Sequence, residues 1–265
     1  MERQYTNSAE AWDAFMRGAE LYRKSTQEDN AQARALFEKA IKLDPKFARA
    51  YASLAATYRQ ERGQDLQASE QRAFDLAQQS VALDPSLPQG HHQLAYLYLY
   101  RNDHDNAIKE AREAIRLDPN DADGYAALAV ILAYANQPQE AIRLMEEEAI
   151  PRNPIVPAYY FYHLGMAYYV MQQYDKAEDN LLKALRTNDK YRPARGYLVA
   201  VYSETHRKAE AKDEMKILLA QKSRLARLLT EGTRQDAEKE LQRITPYKDL
   251  TIRERLRKAW QEAAH

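Results

Sequence analysis

The sequence predicts an all-α protein: a right-handed α-α superhelix (solenoid) of about six tandem two-helix units, closed by C-terminal capping helices. Three observations predict it. Gly (7) and Pro (10) are sparse among 265 residues, while Ala, Leu, Gln, Glu and Arg dominate, a composition that favours helix nearly throughout. Three phrases recur with one ending, "ALFEKAIKLDP" at Pro45, "DLAQQSVALDP" at Pro85 and "KEAREAIRLDP" at Pro119, and a fourth, "LLKALRTND", ends at Asp189 without the Pro. The endings are spaced regularly: 34 residues from Pro85 to Pro119, 35 from Pro119 to Pro154, and 40 from Pro45 to Pro85. The last is the basic period plus an insertion, for which "ERGQDLQASE" is the natural place.

Composition also excludes several classes. Charged residues make up 29% of the chain and balance at 39 basic and 39 acidic, so no global positive field is available for holding nucleic acid. With 45% hydrophobic residues the chain is too apolar for disorder. The absence of Cys rules out disulfides and thiolate nucleophiles. Neither a signal-type segment nor a run of membrane-spanning length is visible, and a cytoplasmic location is expected.

Within each unit the apolar residues fall at helical spacing. "YASLAATY" places Tyr51, Leu54, Ala55 and Tyr58; "HHQLAYLY" places His91, Leu94, Ala95 and Tyr98. "YAALAVIL" places Tyr125, Leu128, Ala129 and Leu132; "FYHLGMAY" places Phe161, Leu164, Gly165 and Tyr168. The pattern is one large residue, a Leu–small pair, then another large residue. The small residue admits the second helix of the same unit, which Ala33, Ala107, Ala141, Ala177 and Ala211 open against it. Pro after "LD" ends that second helix, since it lacks an N–H and pushes the preceding residue out of the α region.

The array spans residues 9–222. Its units are Ala9–Pro45 with Gly18 in the small position, Lys46–Pro85, Ser86–Pro119, Asn120–Pro154, Ile155–Asp189 and Lys190–Lys222. In the fourth, "MEEEAIPRNP" puts Glu148 where a small residue belongs, predicting an irregular helix end. The sixth rests on register, with Arg195 in its first large position and Val199 in its small one. Residues 223–265 read as capping helices. Leu225, Leu228 and Leu229 supply an apolar face, and Leu241, Ile244 and Trp260 fold back on the array. Thr251 is the expected N-cap of a final helix, with Glu254 completing a capping box.

These residues resemble the tetratricopeptide repeat. The opening "SAEAWDAFMRGAELYRKSTQEDNAQARALFEKAIKLDPKFARAYASLA" and the closing "PYKDLTIRERLRKA" are also similar to the repeat regions that follow bacterial class III adenylate cyclase domains and some winged-helix regulators. That resemblance implies a regulatory or partner-binding role, with a catalytic or DNA-binding domain N-terminal to the repeats. Whether one precedes Met1 the sequence leaves open.

In such an array the first helix of each unit lines the concave face, and its groove-facing residues flank the core pattern. The candidate groove consists of Phe15, Tyr22, Arg59, His92, Tyr96, Tyr100, Tyr134, Tyr159, Tyr162, His163, Met166, Tyr169 and Tyr197. Phe161, Leu164 and Tyr168 belong to the core. Tyr suits a binding wall, having a rigid apolar body, a polar tip and few rotamers to immobilise; rings that merely pack between adjacent helices are the competing reading. Repeat domains that clamp acidic chaperone tails use Lys and Asn there, whereas this chain has Phe15, Ala19, Ala52, Ala56, His92 and Tyr96. The expected partner is therefore an apolar or aromatic peptide, a partner helix or a second copy of the chain. Replacing Tyr162 and Tyr169 with Ala is expected to weaken binding with little loss of helix.

No enzyme chemistry is expected. His91 and His92 diverge by about 100° on a helix, which disfavours joint metal binding. The Gly residues are isolated, so there is no phosphate loop. Cofactor and metal are both expected to be none, with no nucleic-acid or membrane partner. The function read from the sequence is a non-catalytic interaction module, regulatory for a signalling or transcription protein; the alternative is homo-oligomerisation or scaffolding. Both depend on an inner wall left open by the chain's own packing.

Overall fold

The computed structural model describes residues 5–24, 26–60, 66–221, 227–229 and 234–264. Among these there is helix and turn and no strand. The chain forms two compact bodies, one of Met1–Leu99 with Asp105–Pro119, the other of Tyr100–His104 with Asn120–His265.

The N-terminal body holds the first two repeats and the third apart from its Tyr100–His104 turn. Helices α1 (Ala9–Arg23) and α2 (Gln27–Leu43) form one antiparallel pair, and α3 (Ala48–Arg59) and α4 (Leu66–Leu83) the next. Helices α5 (Pro88–Tyr100) and α6 (His104–Leu117) follow, joined by an ion pair between His91 and Glu110 at 2.6 Å. Ser8 caps α1 by accepting from Ala11 N–H at 3.1 Å, and Thr26 caps α2 by accepting from Asp29 N–H at 3.0 Å. The insertion expected within "ERGQDLQASE" falls partly on residues outside the described ones.

The C-terminal body continues the pattern with α7 (Ala122–Tyr134), α8 (Pro138–Arg143), α9 (Ala158–Val170), α10 (Tyr174–Thr187), α11 (Arg192–Glu204) and α12 (Lys208–Ala220). Helix α9 pairs with α10 and α11 with α12. After a short helical turn at 227–229 come α13 (Arg234–Ile244) and α14 (Leu250–Ala264). The sixth repeat is a helix pair despite its atypical residues: Arg195, in the large position, is held by Glu214 at 2.7 Å.

The irregular end of the fourth repeat is a π-helical stretch, Leu144–Ala149, running into Ile150–Arg152. Ile150 N–H donates to Met145 C=O, five residues back. A π turn takes up one extra residue, which accounts for 35 rather than 34 residues between Pro119 and Pro154.

Two recurrent devices set the connections. At the end of a repeat, an Asp or Asn side chain accepts from the backbone N–H two residues on: Asp44 from Lys46 (3.0 Å), Asp84 from Ser86 (3.1 Å), Asn153 from Ile155 (3.1 Å) and Asn188 from Lys190 (3.0 Å). Asn188 thus does the work of the "LD" aspartate in the repeat that lacks the Pro. Between paired helices, Asn102, Asn136, Gln172 and His206 take left-handed backbone, with φ near 60°. The following N–H reaches back to the helix, as Gln137 does to Leu132 C=O (2.8 Å) and Arg207 to Tyr202 C=O (2.7 Å).

The small positions work as close-approach sites. A Cβ on Gly165 would lie 2.8 Å from Leu181 Cγ and 3.1 Å from Ala177 O; on Gly18 it would lie 2.9 Å from the Phe37 ring. Ala33, Ala107, Ala141, Ala177 and Ala211 are all buried. The core differs from expectation in the fifth repeat, where Phe161 is only half-buried and Tyr160 is fully buried. Both Tyr160 and Tyr159 donate their hydroxyls to Asp123, at 2.7 and 2.5 Å.

Candidate functional site: the inner wall of the first helices

In the N-terminal body the expected wall residues divide. Phe15 is core: its ring packs between Phe37 (5.6 Å) and Phe47 (5.1 Å), with Trp12 stacked on it at 5.5 Å. One turn of periodicity cannot tell a wall position from a core position when the next repeat contributes its own aromatic, here Phe47. The other expected positions here, Tyr22, Arg59, His92 and Tyr96, are half-buried, and two neighbours on α1 are more open. Met16 is 43% and Trp12 37% exposed. Tyr22 is half-buried and its hydroxyl accepts from Gln60 at 2.5 Å. Arg59 lies 4.7 Å above the Tyr96 ring and donates to Gln93 at 3.1 Å, while His92 tilts against Tyr96 at 5.2 Å. Two neighbouring repeats thus bring Arg59, His92 and Tyr96 together as a half-exposed cationic and aromatic cluster.

In the C-terminal body the expected rings also converge, but they are covered. Tyr162 meets Tyr197 edge-on at 5.6 Å, and Tyr197 meets Tyr169 at 5.6 Å. Tyr134, Tyr162, Met166, Tyr169 and Tyr197 are all buried. Tyr100 is exposed, and Tyr159 and His163 are half-buried. The open wall expected here is sealed by the chain's own C-terminal segment. Between α13 and α14, Thr245, Pro246 and Tyr247 are buried. Tyr247, 1% exposed, sets its ring 4.7 Å from Tyr134 and its hydroxyl 2.6 Å from that of Tyr197. The backbone is held as well: His104 Nε2 donates to Pro246 C=O at 2.8 Å and Lys248 N–H to Tyr134 C=O at 2.8 Å.

Helix α14 extends the cover. The Trp260 indole N–H donates to Gly196 C=O at 2.5 Å, and its ring lies 3.2 Å from where a Cβ on Gly196 would sit. Arg255 stands 5.1 Å over the Tyr169 ring. Leu241 and Trp260 fold back as expected; Leu225 lies outside the described residues. The cap of α14 is Asp249 rather than Thr251: Asp249 accepts from Thr251 N–H at 2.9 Å, and Glu254 pairs with Arg257 instead of closing a box.

The electrostatics follow the burial. Removal from water pushes the hydroxyls of Tyr134, Tyr162, Tyr169, Tyr197 and Tyr247 above the usual tyrosine range. Burial pulls His163 down to about 3, and its Nδ1 has no hydrogen-bond partner. The hydrogen bond that His91 donates to the Glu110 carboxylate raises its pKa; this core histidine also reaches Pro85 C=O at 2.9 Å. Among the described residues no three metal-ligating side chains converge, and no helix is long and apolar enough to cross a membrane.

Paired helices repeated in tandem define a helical-repeat scaffold. Models of the tetratricopeptide repeat match residues 14–47, 36–71, 88–121, 110–143 and 158–191, and the chain belongs to the tetratricopeptide repeat family. That family is in general a non-catalytic interaction fold whose members bind protein partners. No curated protein matches the chain.

Solved structures of similar fold include the Cut9–Hcn1 hetero-tetramer of the APC/C (TM-score 0.64, 17% identity), which aligns with 80% of this chain; this chain spans 44% of the one it matches. TTC0263, a thermophilic repeat protein of Thermus thermophilus, gives 0.59 at 21% identity, covering 72% of this chain and 98% of its own. PilW, a type IV pilus biogenesis factor, gives 0.58 at 18%, covering 76% and 95%. At these identities the likeness is one of fold.

Proposed function

We propose that the chain is a non-catalytic interaction module that takes a peptide or partner helix on the inner wall of its N-terminal body, and that this binding regulates a signalling or transcription protein. The observation that carries the reading is the exposed Met16 with the half-exposed Tyr22, Arg59, His92 and Tyr96, in a chain whose C-terminal tyrosines Tyr134, Tyr162, Tyr169 and Tyr197 are buried. Exposed apolar surface rimmed by polar groups favours a protein partner. An aromatic face with one arginine and no lysine–asparagine clamp favours an apolar or aromatic segment over a carboxylate tail. The regulatory assignment rests on the likeness to repeat regions that follow adenylate cyclase and winged-helix domains.

The test is affinity capture followed by titration of the purified partner. Met16→Glu and Tyr96→Ala are expected to abolish binding while leaving the circular dichroism unchanged; unaltered affinity in both variants rejects the surface. A second reading, self-association through the Trp12–Met16 patch, predicts a mass that rises with concentration in light scattering and falls to the monomer value in Met16→Glu.

A further inference from the structure

We propose that the tyrosine-lined groove of the C-terminal body is a peptide site occupied by the chain's own residues 244–248, and that a partner segment carrying proline followed directly by tyrosine competes for it. The inference concerns a different body from the surface proposed above and stands whether or not that surface takes a partner.

The segment is held as a linear ligand is held. Its backbone is bound from outside: Tyr134 donates its hydroxyl to Ile244 C=O (3.4 Å), His104 donates to Pro246 C=O, and Lys248 N–H donates to Tyr134 C=O. The last acceptor belongs to the end of α7, where helix carbonyls lack intrahelical partners. These bonds read shape, not sequence, as main-chain bonds do in peptide recognition generally. Selectivity comes from two side chains. Pro246 is buried and has no N–H to leave unsatisfied, and Tyr247 delivers a ring to Tyr134 and a hydroxyl to Tyr197. A leucine at the second position would fill the space and strand the Tyr197 hydroxyl, which is why the motif needs tyrosine.

The wall residues stand on helices that pair within their own repeats. Tyr162 and Tyr169 stand on α9, paired with α10, and Tyr197 stands on α11, paired with α12. A tethered occupant has an effective concentration of roughly millimolar, so it masks the groove against dilute competitors of equal intrinsic affinity. Loosening it raises the apparent affinity of the site for a segment in trans.

The probe is a fluorescein-labelled synthetic peptide of residues 241–250, LQRITPYKDL, titrated by anisotropy against the full chain. Tyr247→Ala is expected to bind it about tenfold or more tightly than the unaltered chain does. The same peptide with Ala-Ala in place of Pro-Tyr is expected not to bind, and Met16→Glu to leave the titration unchanged. A check without a groove variant uses hydrogen exchange: about 1 mM unlabelled peptide should speed exchange of the Lys248 amide while α9 stays protected.

A folded Tyr247→Ala that binds no better than the unaltered chain overturns the proposal. So does a Tyr247→Ala that cannot fold, because a segment required for folding is not displaceable, and so does a Lys248 amide indifferent to peptide. Dimerisation of Tyr247→Ala with exclusion of the peptide overturns it in favour of a second copy as occupant.

Discussion

The hydroxyl oxygens of Tyr197 and Tyr247 lie 2.6 Å apart with both rings buried. One residue belongs to the sixth repeat and the other to the tail, 50 positions later. Each hydroxyl is the other's partner in a place that water does not reach. Tyr197→Phe or Tyr247→Phe leaves one of them unsatisfied, at an expected loss of about 1–3 kcal/mol. The double Phe variant should lose less than the sum of the two. A double-mutant cycle by urea denaturation checks this; strict additivity would mean the two groups are not coupled.

Burial also changes what Tyr162→Ala and Tyr169→Ala do. On an open wall they would reduce binding alone. In this structure each empties a packed site and is expected to destabilise the chain by about 3–5 kcal/mol, read as a fall in the denaturation midpoint.

Gly165 sits where a methyl group would fall 2.8 Å from Leu181 Cγ. Gly165→Ala is expected to destabilise by about 1–3 kcal/mol through overpacking, and Gly165→Leu by more. Calorimetry decides; a rise in Tm for the Ala variant, the usual outcome at an unobstructed helix position, would show that the pair can part there without loss.

Gln172 and His206 hold left-handed backbone at φ 59° and 61°. A Cβ is unfavourable there by about 1–2 kcal/mol, so Gln172→Gly and His206→Gly should each stabilise by roughly 0.5–1 kcal/mol. The increments should add, because the turns belong to separate repeats. Thermal melts of the single and double variants provide the measurement.

Stability should fall at both ends of the pH scale. The buried tyrosines have folded-state pKa values above the unfolded value of about 10, so the folded chain holds protons that the unfolded chain releases, and stability declines as pH rises past about 10. Tyrosinate absorbance should titrate in two phases, the later one coinciding with loss of helix. For His163 the sign is opposite. Its folded pKa of about 3 lies below the unfolded value of about 6.5, so acid favours the unfolded chain from about pH 6.5 downward. His163→Gln is expected to recover of order 1 kcal/mol at about pH 5 and nothing at neutral pH.

Local rules make the repeats legible. A Leu–small pair three and four residues after a large one, Ala opening the next helix and Pro after "LD" each act within a few residues, and the structure places helices, pairs and stops accordingly. The extra residue of the fourth repeat is readable as an irregularity, though its form as a π turn is not. The tyrosines of the fifth and sixth repeats are readable as one converging set because helical periodicity fixes direction. Tyr160 and Phe161 escape correct assignment because adjacent rings on a helix aromatic nearly all round carry little periodic contrast.

By itself, then, the chain's sequence determined the helices and their pairing, since these follow from spacing and steric rules acting over one or two turns. Only the tertiary structure decided which part of the expected inner wall is open. Coverage of Tyr134 and Tyr197 depends on Tyr247, which no local pattern connects to them; that contact is set by where the chain's far end packs, a long-range balance of burial against chain entropy that leaves no periodic trace.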